Sequence, residues 1–271
     1  MKTLYVSDLD ETLLHSDETL SQFTVDTVNS LIERGMIFSY ATARSDSTAR
    51  KVTAGLSPRL PVIVYNGTFI LENGSGKRLL SSQFSSEEAK HILDLHLSHG
   101  VYPMVRAFIE GKERSTYLSD RVSPAQAKFL ARRQGDPRYD GVTDPEMLYR
   151  GEIFCTVCMD TPEKLQPLYE ALRDDFSCNY FVDNYTHEQW LELNPKSATK
   201  ASAIRSLKEI LGCDRVVCFG NGKNDVSMFE IADECYAVGN AVEELKAIAT
   251  DVIGTNDEDG VAKWLLQNAI I

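Results

Sequence analysis

Short apolar segments alternate with helical segments at the start of the chain, and this alternation constrains the fold most strongly. Residues 4–6 and 36–40 are apolar strand candidates, and residues 21–34 between them have the apolar spacing of a helix. A third apolar stretch covers 61–65, and 68–80 resembles a β-hairpin. Strands joined through helices form parallel sheets. The pattern therefore predicts a doubly wound, Rossmann-like α/β core around a parallel sheet.

The middle of the chain interrupts this alternation and predicts a second domain. Residues 82–188 contain capped helices and alternating strands of their own, including one strand over 181–193. From residue 198 onward the strand and helix alternation of the first segment returns. We therefore predict a core made of 1–81 and 189–271, with an α/β insertion between its two parts.

Charge and hydropathy exclude two classes of partner. The net charge is -12, and the acidic residues are spread along the chain, which argues against nucleic acid and anionic membranes as partners. No apolar run approaches the roughly 20 residues that span a bilayer. Asp8, Asp10 and Glu11 interrupt the first apolar segment before a signal peptide could form. We expect a cytoplasmic protein, as a monomer or homodimer.

The cysteines predict no metal or redox site. Cys155 and Cys158 form a C-x-x-C pair, but the pair lies inside the apolar strand candidate 153–159. No second pair follows at the spacing of a zinc finger. We therefore expect reduced cysteines in the protein core.

The chemically capable residues of the core lie beside the ends of its predicted strands or at the start of a helix. They are Asp8, Asp10, Thr42, Lys200, Asn221 and Asp225. The carboxyl ends of parallel strands meet at one edge of a sheet, where ligands gather. We therefore expect these side chains to surround one site.

The two aspartates suit phosphoryl transfer. Residues i and i+2 of an extended chain face the same way, so Asp8 and Asp10 can reach one phosphorus atom. We predict that Asp8 attacks it and forms an aspartyl phosphate, while Asp10 protonates the leaving oxygen and later deprotonates water. Lys200 would neutralise Asp8 and the phosphoryl oxygens. The Thr42 hydroxyl and the N–H groups after it would bind another oxygen.

The same residues predict a magnesium site. Magnesium prefers oxygen ligands and retains several waters. The Asp8 carboxylate, the main-chain carbonyl of Asp10 and a ligand from the loop Asn221 to Asp225 meet that preference. We therefore predict Mg²⁺ as the cofactor, with Asp8, Asp10, Asn221 and Asp225 around it.

These residues resemble the four motifs of the haloacid dehalogenase superfamily, and their order resembles its Cof-type sugar-phosphatase branch. Residues 8–12 match D-x-D-x-T, Thr42 the Thr/Ser motif, Lys200 the basic motif and 220–225 the acidic motif. The match extends across nearly the whole chain. The resemblance implies a magnesium-dependent phosphatase of small phosphorylated metabolites such as sugar phosphates. It also implies that 82–188 form a cap that closes over the site and selects the substrate.

The resemblance further implies a set of residues that bind the phosphoryl group or the substrate. They lie in the first, second and fourth motifs and in an Asn-Gly pair typical of this branch: Leu9, Thr12, Thr42, Ala43, Arg44, Asn66, Gly67 and Asn224.

Two positions depart from the family pattern. Asn221 stands where the family usually has an aspartate ligand; its amide oxygen can still coordinate magnesium, but the site loses one negative charge. Ala43 stands where glycine is common. The first departure leaves open a phosphometabolite-binding pseudo-enzyme, and a phosphomutase of the same architecture is a further alternative. A dehalogenase is disfavoured, because those relatives dispense with the metal and the second aspartate. His15 is expected to be a loop residue.

Overall fold

The chain folds into two compact units. The computed structural model describes residues 1–57, 59–182 and 187–271. The first unit combines Met1–Ser81 with Ala198–Ile271, and the second unit is Ser82–Ser197.

The strands are, in chain order, β1 (Thr3–Ser7), β2 (Ile37–Tyr40), β3 (Val62–Val64), β4 (Phe69–Leu71), β5 (Arg78–Ser81), β6 (Met104–Ile109), β7 (Lys112–Leu118), β8 (Tyr139–Val142), β9 (Glu152–Asp160), β10 (Ser177–Val182), β11 (Gln189–Asn194), β12 (Arg215–Gly220), β13 (Glu234–Ala237) and β14 (Asp251–Val252). The α-helices are α1 (Gln22–Glu33), α2 (Asp46–Val52), α3 (Ser86–Ser98), α4 (Pro124–Ala131), α5 (Pro162–Leu172), α6 (Lys200–Leu211), α7 (Val226–Phe229), α8 (Glu243–Lys246) and α9 (Gly260–Asn268). None of the helices in the described ranges is long and apolar enough to cross a bilayer.

The first unit is built on a parallel sheet with the strand order β14-β13-β12-β1-β2. In the centre of this sheet, Val6 of β1 lies opposite Cys218 of β12 and Ser39 of β2. Every residue of β1 is buried. A continuous buried run of this kind is typical of a parallel strand that is covered on both faces. The predicted α/β fold with a parallel-sheet core is confirmed.

The third predicted strand leaves this sheet almost at once. Ala41 and Ile63 form one isolated parallel bridge, but β3 pairs antiparallel with β4, and β4 pairs antiparallel with β5. Between β3 and β4, Tyr65 and Asn66 adopt positive φ angles of 51° and 53°. Two consecutive residues in the left-handed region reverse the chain sharply. Non-glycine residues rarely adopt this conformation, because it brings the Cβ atom close to the backbone. The β4–β5 pair is the hairpin expected for 68–80.

The second unit contains a six-stranded sheet with the order β10-β11-β9-β6-β7-β8. One face packs against α3 and α5 through an apolar cluster that includes Ile92, Leu165 and Leu191. Trp190, the neighbour of Leu191, projects to the opposite face and contacts the Phe129 ring of α4 at a centroid distance of 5.4 Å. The unit therefore has a core of its own, separate from that of the first unit.

The second boundary of this unit differs from the predicted one. It falls at Ser197 rather than at 188, because β11 is hydrogen-bonded to β9 within the second unit. The predicted single strand over 181–193 is also wrong. Val182 of β10 pairs antiparallel with Gln189 of β11, and 183–186 lie outside the described residues. Both strands have alternating apolar residues, and this alternation does not show that the chain changes direction between them.

The cysteines are free, and several are buried in the cores. Cys155 and Cys158 are 1% exposed, and burial raises the pKa of both thiols. They are therefore neutral core residues, as expected from the sequence.

Acid pH should destabilise the fold through His96, a buried residue of α3. Its Nδ1 lies 2.6 Å from the Ile92 carbonyl oxygen, and its Nε2 has no hydrogen-bond partner among the described residues. Burial lowers the pKa of His96 from 6.5 to about 4. Between pH 6.5 and about pH 4, His96 therefore binds a proton in the unfolded chain but not in the folded protein. We expect this difference to lower the free energy of unfolding by about 2 kcal/mol between pH 7 and pH 5.

Urea denaturation at both pH values measures this effect. The variant His96→Leu should lose about 2 kcal/mol less than the native protein between the two pH values. Exposed His91 on the same helix provides the matched control, and His91→Leu should keep the native pH dependence. Equal pH dependence in the native protein and His96→Leu would rule out His96 as the source.

Candidate active site

The first aspartate is placed by a sharp turn directly after β1. The Asp8 N–H donates to the Phe219 carbonyl of β12 at 2.9 Å, so the strand pairing continues up to the catalytic candidate. Leu9–Leu13 then form one irregular turn, in which Glu11 has a φ of 52°. This turn leaves Asp8 4% exposed, whereas the Asp10 side chain remains 44% exposed. The two carboxylates therefore occupy different environments.

Asp8 belongs to a buried cluster with Lys200 and Asp225. Lys200 is the first residue of α6, and its Nζ lies 2.6 Å from Asp8 Oδ1 and 2.8 Å from Asp225 Oδ1. Lys200 is 1% exposed and Asp225 is fully buried. These three residues come from distant parts of the sequence, and the structure brings them together as predicted.

The charges within this cluster are strongly coupled. Burial and then the charge of Asp225 raise the pKa of Asp8 to about 7, although Lys200 opposes this increase. Burial disfavours the Lys200 ammonium, but the charges of Asp225 and Asp8 outweigh burial and raise the pKa of Lys200. The two carboxylates therefore favour the charged form of Lys200, and one ammonium faces both of them.

Asp225 is held by the loop that precedes it. Its Oδ2 accepts hydrogen bonds from the N–H groups of Asn221 and Gly222, each at 3.0 Å. A Cβ atom at Gly220 would lie 2.7 Å from the same Oδ2, so a side chain there would displace the carboxylate. Because Lys200 Nζ donates to Oδ1, both carboxylate oxygens of Asp225 accept hydrogen bonds.

Asn221 connects this loop to the turn after β1. Its Oδ1 accepts a hydrogen bond from Thr12 Oγ1 at 3.1 Å, and its Nδ2 donates to Glu11 Oε2 at 3.3 Å. Its amide, which we predicted to be a metal ligand, therefore lies at the edge of the Asp8 turn.

The second motif forms a loop tied to the segment after β3. Thr42 Oγ1 accepts from the Arg44 N–H at 3.1 Å, and the Thr42 carbonyl accepts from the Asn66 N–H at 2.9 Å. Thr42 is fully buried, whereas Ala43 is exposed. The Arg44 side chain extends to Asp10 rather than to Asp8.

Asn66 and Gly67 complete the same region. Asn66 Oδ1 accepts from Asn224 Nδ2 at 3.4 Å, which joins this segment to the fourth motif. Gly67 has a φ of 99°, and a Cβ there would lie 2.1 Å from the Thr199 carbonyl oxygen, one residue before Lys200. Gly67 is therefore required for the close approach of this turn to the start of α6.

The donor atoms of the site fit a hard divalent cation. The available groups are carboxylate, amide and main-chain oxygens, the ligand types that such ions prefer. When Asp8 is ionised, Asp8 and Asp225 carry one more negative charge than Lys200 neutralises, so a bound cation would balance the cluster. Within the described ranges, no group of three or more His, Cys, Asp or Glu side chains could hold a metal ion. A cation here would therefore depend on amide, main-chain and water oxygens besides the carboxylates.

Sequence reasoning missed one residue of this region, Glu18. Its Oε2 lies 2.7 Å from Arg44 Nη2, although no motif contains it. His15, expected to be a loop residue, lies 3.1 Å from Asp259 Oδ1 and takes no part in the cluster of Asp8, Lys200 and Asp225.

Known proteins share both the sequence and the fold of this chain. The family model of the haloacid dehalogenase-like hydrolases matches residues 5–265. Two Bacillus subtilis proteins, the 5-amino-6-(5-phospho-D-ribitylamino)uracil phosphatases YwtE and YitU, are 26% and 24% identical. The YwtE match covers 96% of both chains, and the YitU match covers 97% of this chain and 96% of YitU.

A solved structure from Thermotoga maritima has the same fold as this chain. It superposes with a TM-score of 0.80 at 25% identity, covering 100% of this chain and 99% of the other. The family model matches far more than half of the sequence, and the similar proteins named above are phosphatases. The chain therefore belongs to the haloacid dehalogenase-like hydrolases, and its activity is that of a phosphatase.

Proposed function

We propose that this phosphatase hydrolyses small phosphate monoesters with Mg²⁺, through an aspartyl phosphate on Asp8. The observation that carries the proposal is the buried contact of 2.6 Å between Asp8 Oδ1 and Lys200 Nζ. A carboxylate beside an ammonium group can approach an anionic phosphoryl group, because the cation offsets the repulsion between them.

The proposed reaction has two steps. Asp8 forms a bond to phosphorus while the bond to the leaving oxygen breaks, and Asp10 gives that oxygen its proton. Water then attacks the phosphorus of the aspartyl phosphate, Asp10 accepts the proton of that water, and Asp8 is released with free phosphate. Lys200 neutralises charge in both steps. The Thr42 hydroxyl and the Ala43 N–H would bind the phosphoryl oxygens.

Phosphatases of this family generally use a divalent metal ion, and we propose Mg²⁺ here. When bound, it would neutralise phosphoryl oxygens. Asp8, the Asp10 carbonyl and Asn221 would hold it. Asp225 already accepts hydrogen bonds from Lys200 and two main-chain N–H groups, which favours a supporting role over direct coordination.

The proposed substrates are phosphorylated sugars or related metabolites. The named relatives act on a phosphorylated ribitylamino compound, a phosphate ester of a sugar-alcohol chain. We propose that the second unit selects the substrate, as a cap. We also propose a reducing cytoplasmic compartment, since the cysteines are free.

Metal titration tests the proposed function. The native protein, treated with chelator and assayed with p-nitrophenyl phosphate, should release phosphate only when Mg²⁺ is added back. The variant Asn221→Asp replaces the proposed amide ligand with the carboxylate that is usual in the family. We expect this variant to bind Mg²⁺ about tenfold more tightly than the native protein. Calorimetric titration of Mg²⁺ gives this affinity independently of turnover.

A control separates the local charge from the net charge. Asn179→Asp, in β10 of the second unit, adds the same charge elsewhere and should leave Mg²⁺ affinity unchanged. Turnover that survives chelation would contradict the metal requirement. Equal or weaker Mg²⁺ binding by Asn221→Asp would contradict the assigned role of Asn221.

A further inference from the structure

The Arg44 side chain lies between the carboxylates of Asp10 and Glu18, which both belong to the segment after β1. Its Nε lies 3.0 Å from both carboxylate oxygens of Asp10, and its Nη2 lies 2.5 Å from Asp10 Oδ1. The same Nη2 lies 2.7 Å from Glu18 Oε2. The Arg44 side chain is 18% exposed, less than those of Asp10 (44%) and Glu18 (58%). The guanidinium is therefore the inner member of a chain of alternating charges.

Glu18 is held in place by a hydrogen-bonded turn. The His15 N–H donates to the Thr19 carbonyl, and the Glu18 N–H donates to the His15 carbonyl, each at 2.9 Å. Glu18 itself has a φ of 64°. The turn is fastened to the C-terminal part of the first unit, because the Ser16 N–H donates to Asp257 Oδ1 at 2.8 Å. A fixed turn at this place gives the Glu18 carboxylate a defined position relative to Arg44.

The contact with Arg44 matters because Asp10 is otherwise exposed. A carboxylate with 44% exposure can adopt several rotamers, and only some of them would reach a leaving oxygen. A guanidinium that contacts both carboxylate oxygens restricts that freedom, since its donors have a fixed planar geometry. Glu18 in turn restricts the guanidinium, which is anchored at Nη2.

We propose that Glu18 is a positioning residue, which acts through Arg44 to hold Asp10 where it can protonate the leaving oxygen. This inference rests on the proposed function. In the step concerned, the bond between phosphorus and the leaving oxygen breaks, and its electron pair goes to that oxygen. The oxygen takes the proton of Asp10, while Asp8 forms its bond to phosphorus.

Two substrates of similar shape isolate this step. p-Nitrophenolate is a stable anion that leaves without a proton, whereas phenolate is more basic and needs one. The ratio of kcat/KM for p-nitrophenyl phosphate to that for phenyl phosphate therefore measures how well the leaving oxygen is protonated. A change in folding or in metal binding would lower both values alike and leave the ratio unchanged.

The variant Glu18→Gln removes the charge but retains the size of the side chain. We expect its kcat/KM to fall about fivefold to tenfold with phenyl phosphate and less than about twofold with p-nitrophenyl phosphate. Glu18→Asp keeps the charge and should recover part of the loss. Arg44→Lys keeps the charge but loses the planar donors, and it should change the ratio at least as much as Glu18→Gln.

Glu33→Gln is the matched control, because Glu33 is an exposed residue at the end of α1. It carries the same chemical change and should leave both rates at the native values. An unchanged ratio in folded Glu18→Gln, with the native protein active, would overturn the positioning role. A native protein that hydrolyses neither ester in the presence of Mg²⁺ would instead overturn the proposed function.

Discussion

Replacing Asp8 with asparagine is expected to lower phosphate release at least about 10⁴-fold, because the amide cannot form the acyl phosphate on which both chemical steps depend. Asp10→Asn should retain measurable turnover of p-nitrophenyl phosphate, whose leaving group needs no proton. Native protein quenched during turnover should carry one phosphoryl group, and Asp8→Asn should carry none. Mass spectrometry of the quenched protein, together with steady-state rates, measures both effects.

The same substitution should stabilise the fold. In the native protein, burial and Asp225 raise the pKa of Asp8 from 3.8 to about 7. A raised carboxyl pKa stabilises the protonated fold below pH 3.8, and this stabilisation is lost as pH rises through about 7. Above pH 7 the metal-free native protein therefore bears a buried charge that Asp8→Asn lacks, and we expect the free energy of unfolding of Asp8→Asn to exceed that of the native protein.

Two results would contradict this prediction. Turnover by Asp8→Asn within about tenfold of the native rate would exclude Asp8 as the nucleophile. Loss of stability in metal-free Asp8→Asn at pH 8, measured by urea denaturation, would show that the contact between Asp8 and Lys200 outweighs the cost of burial.

Replacing Lys200 with methionine is expected to damage both stability and turnover. Methionine has a similar length, but it leaves the carboxylates of Asp8 and Asp225 buried without their ammonium. Breaking a buried ion pair on one side costs about 3 to 5 kcal/mol. The rate constant should fall by about 10² to 10³, because the transferring phosphoryl group loses a preorganised cation.

Lys208 on the same helix supplies the control. Its side chain is 32% exposed, and its Nζ lies 3.9 Å from Asp233 Oδ2. Lys208→Met should change the free energy of unfolding by less than about 1 kcal/mol and leave turnover unchanged. Urea denaturation and steady-state rates compare the two variants. Similar losses in both would contradict a special role for Lys200.

Much of the fold and the candidate cluster could be predicted from the sequence. The buried run of β1, the helix after it and the return of this alternation near residue 198 predicted a parallel sheet. In such a sheet, residues after neighbouring strands must meet at one edge. Asp8 and Asp225 meet in this way, because they follow the neighbouring strands β1 and β12, and Lys200 contacts both of them from the start of α6.

The contact of Glu18 with Arg44 and the boundary at Ser197 could not be predicted. They depend on the direction of side chains and on which strands pair, and a local sequence pattern does not give this information. Glu18 and Arg44 meet because two loops lie side by side, and neither loop has a periodic signal that predicts the contact. The boundary at Ser197 depends on the pairing of β11 with β9. A strand's own sequence indicates that it is a strand but not which neighbour it will have.

The position of β1 between β2 and β12 has a consequence for biosynthesis. The ribosome makes β1 and β2 first, but β12 follows only after the whole second unit has been translated. Until then, one edge of β1 lacks its native neighbour, and such open edges favour aggregation. Lys200 also emerges late, so a nascent chain that ends before it has Asp8 without its counter-charge. Incomplete chains should therefore be inert and prone to aggregation.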